Sequence, residues 1–273
     1  MNHAKLVLVL ALIAIPGCKQ QPPAGRSPTS AQIPDAPELT LGLQRQIASR
    51  NVRDVERDIE DFTAQIDSGH VSAELFRARG DMWTLKREFG KAIDDYDAAI
   101  RLDTNYAPAW HNRGRVRREL AEFEEAMTDY TQAIQCNPDY AQAYSNRGLL
   151  FMLLNDLKRA TADLKKAVDL NPIDEPALNG LARIYATSPQ PEPGDGKKAV
   201  EFATKLCQLA GWTNAEYLES LAAAYAQNGE FENAVKWQLQ ALTEAADSAN
   251  HEMRARLSAY KDGRPIRVGK DAR

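Results

Sequence analysis

Three residue types in this chain are spaced so that chemistry is worth testing for: cysteine, histidine, and arginine paired at a fixed distance with aspartate. The cysteines are Cys18, Cys136 and Cys207. Three thiols are too few for a disulfide framework, and the last two stand where apolar helix residues are expected, so they read as small buried hydrophobes. His3, His70, His111 and His251 are dispersed, with no carboxylate or cysteine at ligand spacing. No glycine-rich phosphate loop and no serine elbow occurs in the sequence, and the acidic residues follow the polar phase of helices. These patterns predict no enzyme, no metal and no cofactor. Arg79, Arg113 and Arg147 each precede a glycine, and sixteen residues after each stand Asp95, Asp129 and Asp163. A guanidinium and a carboxylate at that interval can bridge two helices of one hairpin. The bridges are read as structural, because Leu181 with Phe202 and Leu221 with Trp237 take the same two places further on. The pair changes from charged to apolar as a unit. Exchanging Arg113 and Asp129 together is then expected to restore stability that either single change loses.

Those pairs are positioned by a repeat of 34 residues. Gly80, Gly114 and Gly148 keep this step. So do Ala92, Ala126 and Ala160; Ala99, Ala133 and Ala167; and Pro138 and Pro172. Phe76, Trp110 and Tyr144 lie four residues before the glycines, and Tyr96, Tyr130 and Leu164 sixteen after. The pattern resembles the tetratricopeptide repeat (TPR), in which large and small residues alternate on two helices closed by a proline. The fold class implied is all-α, an α-solenoid of helix-turn-helix repeats, about five units, with a C-terminal capping helix. The clearest units are 73–106, 107–140 and 141–174, and the irregular ones 39–72, 175–214 and 215–248. Small residues such as Gly114 and Ala126 permit close helix approach, and Pro138 and Pro172 end second helices. The interval from Ala160 to Ala199 is 39, so five residues are inserted between Thr187 and Gly196, a stretch rich in Pro and Gly. One more residue is gained near Gly211-Trp212. His251 to Tyr260 reads as an amphipathic cap within a tail, 249–273, because an array must close its exposed end. The segment from Leu178 to Arg267 also resembles a recurrent C-terminal arrangement of repeat proteins from planctomycete-type bacteria, which suggests lineage and supplies no activity.

In the tetratricopeptide family the first helix of each unit lines a concave groove. Carried onto this chain, the resemblance implies Arg77, Asp81 and Thr84, then His111, Arg115 and Arg118, then Ser145, Leu149 and Met152. That face runs from mixed charge through basic to apolar and suits a protein segment with acidic residues beside a hydrophobic stretch.

The N-terminus has its own logic. Leu6 to Ile15 is ten apolar residues, about 15 Å as a helix and half of a bilayer core of roughly 30 Å. It fits a signal peptide over 1–17 better than a membrane span. Ile15-Pro16-Gly17-Cys18 resembles a lipobox, with Pro16 where Ala, Ser, Thr or Val is usual. The resemblance implies diacylglycerol and a further acyl chain on Cys18, an anchor more stable than a single chain gives. The other reading is an ordinary signal peptide in which Cys18 is incidental. Lys19, where Asp would retain a lipoprotein at the inner membrane, favours the outer membrane, facing the periplasm. Residues 18–38 carry five prolines and read as a tether.

The 273 residues carry a net charge of −4, against the basic surplus that nonspecific nucleic-acid binding needs. The functional expectation is a membrane-anchored scaffold or assembly factor of the bacterial cell envelope. Two alternatives stay open: a cell-wall or polysaccharide-associated module, and an accessory non-catalytic subunit of an envelope enzyme.

Overall fold

The computed structural model describes residues 52–266, apart from 189–190, 193 and 246–249. The signal peptide, Cys18, the tether and the first helix expected over Leu39–Arg50 lie outside the described residues, as does the tail beyond 266. Among the described residues there are twelve helices and no strand. They fall into two compact units, which divide in sequence between Ala109 and Trp110.

The first unit holds α1 (Val52–Asp67), α2 (Ala73–Leu85) and α3 (Phe89–Leu102). Helix α1 buries Val55 and Ile59, one turn apart. Ser72 opens α2 by accepting the backbone N–H of Leu75 at 3.2 Å, satisfying one of the donors a helix start leaves free. On α3, Ala92, Tyr96 and Ala99 are buried at helical spacing. Gly80 leaves room for the Tyr96 ring, since a Cβ there would stand 2.8 Å from Tyr96 Cε1. The Arg79 guanidinium ties the three helices together. It donates to Asp95 at 2.8 and 2.6 Å and to Thr63 of α1 at 3.2 Å.

Helix α4 (Ala107–Glu119) continues into the second unit, followed by α5 (Phe123–Cys136), α6 (Ala141–Leu153), α7 (Leu157–Leu170), α8 (Glu175–Thr187), α9 (Asp195–Leu209), α10 (Ala215–Gln227), α11 (Phe231–Glu244) and α12 (Asn250–Lys261). Successive helices form pairs, α4 with α5, α6 with α7, α8 with α9 and α10 with α11. This is an α-solenoid of tetratricopeptide type, with five complete pairs among the described residues. Helices α5 and α7 stop at Cys136 and Leu170, one residue before Asn137-Pro138 and Asn171-Pro172. The turn inside four of the five pairs has a shared conformation. Arg87, Ala121, Asn155 and Gly229 all adopt positive φ, from 59° to 82°, and three of the four do so despite a side chain.

The core of the second unit changes character along the chain. Arg147 repeats the three-helix tie of Arg79. It reaches Asp163 at 2.7 and 3.0 Å and Thr131, on the second helix of the preceding pair, at 3.2 Å. Beyond it the ties become apolar. Leu181 and Leu221 are fully buried, Tyr185 stacks on Phe202 at 6.1 Å and Trp212 on Trp237 at 5.0 Å. The two insertions are absorbed locally. Gly194 in left-handed conformation starts α9 at Asp195, so the last two residues of the expected loop are helical. Gly211 and Trp212 take consecutive positive φ values of 63° and 64° before α10. The final helix closes the array through Met253 and Tyr260, which bury against the last pair. Gln238 donates to the Met253 carbonyl at 3.2 Å, and Arg256 meets Glu219 at 2.9 Å.

Candidate functional site

The nine residues of the expected groove stand on α2, α4 and α6, and the structure divides them sharply. On α2, the Arg77 guanidinium pairs with Asp81 one turn on. The other Asp81 oxygen accepts the Tyr96 hydroxyl at 2.8 Å. Thr84 is buried, donates to the Gly80 carbonyl at 2.9 Å and lies 3.0 Å from the same Tyr96 hydroxyl. This stretch is charge-balanced, with the Arg77 Nε buried without a hydrogen-bond partner.

On α4 the expectation needs correction at two places. His111 and Arg118 do not line an open surface; both are buried, at 5% and 8% exposure. They belong to a polar network that joins α4 to α6. Arg118 donates to Asn146 Oδ1 at 2.9 Å. Since a guanidinium only donates, this fixes the Asn146 amide, and its Nδ2 donates to His111 Nε2 at 2.8 Å. His111 Nε2 is therefore the acceptor, and its proton sits on Nδ1, which meets Asn112 Oδ1 at 2.9 Å. The Tyr140 hydroxyl lies 3.3 Å from the same Nδ1, and the Tyr140 ring packs edge-on to the imidazole at 5.0 Å.

Burial, followed by the nearby Arg115 and Arg118 charges, pushes the His111 imidazole down from 6.5 to about 3. The sign of the consequence is fixed. Between those values the unfolded chain takes up a proton that the folded chain refuses, so stability falls as pH falls. At pH 5 the loss is about 2 kcal/mol. In urea titrations, wild type should lose about that much more than His111→Gln between pH 7 and pH 5. Equal acid sensitivity of the two would show that His111 titrates freely.

Ser145 and Thr84 are the other two corrections. Ser145 is buried and donates to Asp174 Oδ1 at 2.9 Å, while that same carboxylate caps α8 through Ala177 N at 2.9 Å. Burial raises the Asp174 carboxyl above its usual value. Leu149 and Met152 are half-buried, packed at the edge of the core. Arg115 is the one residue of the α4 triplet that is not buried. Of the nine, α4 and α6 thus leave Arg115, Leu149 and Met152 partly accessible.

The inter-helix pairs stand at hydrogen-bond distance. Arg113 donates to Asp129 at 3.0 and 2.6 Å, and its guanidinium lies 4.7 Å from the centre of the Trp110 ring. Arg117 adds a third bond to Asp129 at 2.8 Å. That contact, the threonines under Arg79 and Arg147, and the network around Asn146 were not anticipated from the sequence. A signal for the last was present: Asn112-Arg113-Gly114 recurs 34 residues later as Asn146-Arg147-Gly148. Cys207 is buried, points its thiol at the Tyr217 carbonyl at 3.4 Å, and burial pushes it up to about 12, which suits an inert core residue.

Comparison with known proteins agrees with this architecture. Models described as TPR repeat and tetratricopeptide repeat match residues 114–155, and 141–174 with 215–248, respectively. Tetratricopeptide-repeat models thus match residues 114–174 and 215–248. None of the curated proteins matches it. Among solved structures it is similar to YrrB, described as a TPR protein with an unusual peptide-binding site, at 20% identity and a TM-score of 0.58, over 73% of this chain and 98% of that one. It is also similar to MamA at 22% identity and 0.52, over 66% and 95%. A tetratricopeptide repeat protein from Parabacteroides merdae matches at 20% and 0.54, over 77% and 88%. These likenesses establish the fold.

Proposed function

We propose that this chain is a membrane-anchored tetratricopeptide lipoprotein that serves as a protein–protein interaction scaffold or assembly factor in the bacterial cell envelope. It catalyses nothing itself. The observation that carries the reading is the contrast along the first helices. The charges on α2 are consumed internally, whereas α4 and α6 leave an unpaired arginine beside two accessible apolar side chains. Tyr, Trp, Met and Arg are enriched where proteins meet, and an arginine next to Leu149 and Met152 suits a segment that is acidic and then apolar. Support of another kind comes from YrrB, whose own description names a peptide-binding site. The anchor rests on Ile15-Pro16-Gly17-Cys18 and on the tether behind it, whose twenty residues reach at most about 65 Å when stretched.

A photocrosslinking residue in place of Met152, activated in intact cells, tests the scaffold. A discrete protein adduct that disappears when Arg115 is changed to Glu is expected. The absence of any adduct specific to that face would refute the scaffold reading. Incorporation of a labelled fatty acid that depends on Cys18 tests the anchor, and a Cys18→Ser protein that still fractionates with membranes would remove it.

A further inference from the structure

Each second helix begins beside the turn inside its pair, and the starts of α5 and α7 carry opposite charge at equivalent places. Glu124 and Glu125 are the second and third residues of α5; Lys158 and Arg159, 34 positions on, are the second and third of α7. All four are exposed. Glutamates suit a helix start, where the macrodipole is positive, and cations there are unfavourable. Arg159 has local compensation, from Asp156 at 2.5 Å and from the Phe151 ring at 4.5 Å. Glu124, Glu125 and Lys158 make no ion pair or side-chain hydrogen bond among the described residues. Beside these charges stand two leucines with the same spacing. Leu120 and Leu154 are each 41% exposed, and each comes one residue before the positive-φ residue of its turn, Ala121 or Asn155. The two turns lie side by side because α5 packs on α6, where Phe123 and Leu153 cover the cluster of Ala126, Tyr130 and Leu150. Neighbouring packed helices stand about 8–10 Å apart, so the acidic, apolar and basic groups form one continuous edge.

We propose that this edge is a self-association surface whose occupant is the same edge of a second copy of the chain, related by a twofold axis that runs between the two turns. A twofold contact must be self-complementary: if residue i meets j on the other copy, j meets i. The 34-residue step supplies that relation here. Turning one copy about the axis exchanges the starts of α5 and α7. Glu124 and Glu125 then face Lys158 and Arg159 of the second copy, and the reverse holds on the other side. Leu120 lies against the second copy's Leu154, and the leucines lose water together. A partner of a single charge matches half of the edge and is repelled by the other half; an anionic lipid surface would draw in Lys158 and push away Glu124. A surface with the same alternation answers both halves, and the chain's own edge is one. The edge is small, so the association is weak and charge-guided, of the class that buries less than about 1,200 Å². It uses none of the groove residues and stands apart from the scaffold reading.

A photocrosslinking residue in place of Leu154, activated in intact cells that carry the full chain, reads the contact. The expected adduct has twice the mass of the chain and maps, after digestion, to the segment around Leu120. Its yield should fall at least about tenfold when Lys158→Glu and Arg159→Glu are combined, because glutamates then oppose glutamates. Combining Glu124→Lys with Glu125→Lys should do the same with cations. Co-expressing the two charge variants should restore the adduct, since each copy then meets the opposite charge at both ends of the edge. A further measurement needs no charge variant. With the purified chain in nonionic detergent, the yield should drop severalfold between about 0.1 M and 1 M salt, where the Debye length shrinks from about 10 to 3 Å. A yield indifferent to salt, or to both charge reversals, would overturn the proposal. So would a loss that co-expression fails to restore while both variants keep the helical content of the unmutated chain. An adduct to lipid or to a different protein, with none at twice the chain mass, would assign the edge to that partner and end the twofold model.

Discussion

Replacing Asp129 with alanine is expected to cost about 3–5 kcal/mol, the largest loss of any single change at the inter-helix pairs. The side chain is fully buried and accepts three charge-assisted bonds, two from Arg113 and one from Arg117. Removing it takes away the carboxylate that two guanidinium groups, 11% and 21% exposed, share. Asp95 and Asp163 each serve one arginine, so their alanine variants should lose less, about 2–3 kcal/mol. Chemical denaturation of the three variants gives this ranking directly. An Asp129→Ala protein as stable as Asp163→Ala would mean that the Arg117 bond contributes nothing.

The third bond also overturns an expectation drawn from the sequence alone. Exchanging Arg113 with Asp129 places an arginine where Arg117 already points, at 2.8 Å from the carboxylate it replaces. Like charges then meet in a buried site, and the exchange should recover little. The exchange of Arg147 with Asp163 meets no such obstacle, because the remaining neighbour there is the Thr131 hydroxyl, which can donate to a carboxylate. Recovery at the second pair and failure at the first is the expected outcome of the two cycles.

What was legible in the sequence follows from what periodicity can report. A step of 34 residues locates each glycine, alanine and aromatic on its helix, so the pairs, the insertion before α9 and the terminal cap were all visible. The arginine–aspartate interval of sixteen spans one hairpin, and within a hairpin the repeat is a reliable guide. Contacts between successive repeats were hidden, because they depend on which side chains at neighbouring first helices happen to complement one another. His111 with Asn146, Ser145 with Asp174, and Arg79 with Thr63 are all of this kind. Six of the nine residues assigned to the groove were taken up by such contacts or by their own helix. The family pattern fixes the face a position occupies; whether its side chain reaches outward or is captured by the next repeat depends on the residue one helix away.

Two glycines carry the same lesson with opposite signs, and mutating both separates them. Gly90 and Gly196 are each the second residue of a second helix, α3 and α9, and neither has positive φ. By propensity alone, alanine should stabilise both by about 0.5–1 kcal/mol. A Cβ at Gly90 meets nothing within 4 Å, so Gly90→Ala should deliver that gain. At Gly196 the Cβ would stand 2.7 Å from Asn228 Cα and 2.8 Å from Asn228 N. Those are backbone atoms at the end of α10, held by the Asn228 N–H bond to the Ala224 carbonyl at 3.0 Å, and they cannot turn aside as a side chain would. Steric strain from overpacking, typically 1–3 kcal/mol, exceeds the propensity gain. Gly196→Ala should therefore destabilise by about 2 kcal/mol, and the two variants should differ by about 3 kcal/mol in urea unfolding. Equal effects would mean that α9 can slide away from the α10 terminus at no cost, and that the inserted loop, with Gly194 at its end, does not hold the helix in place.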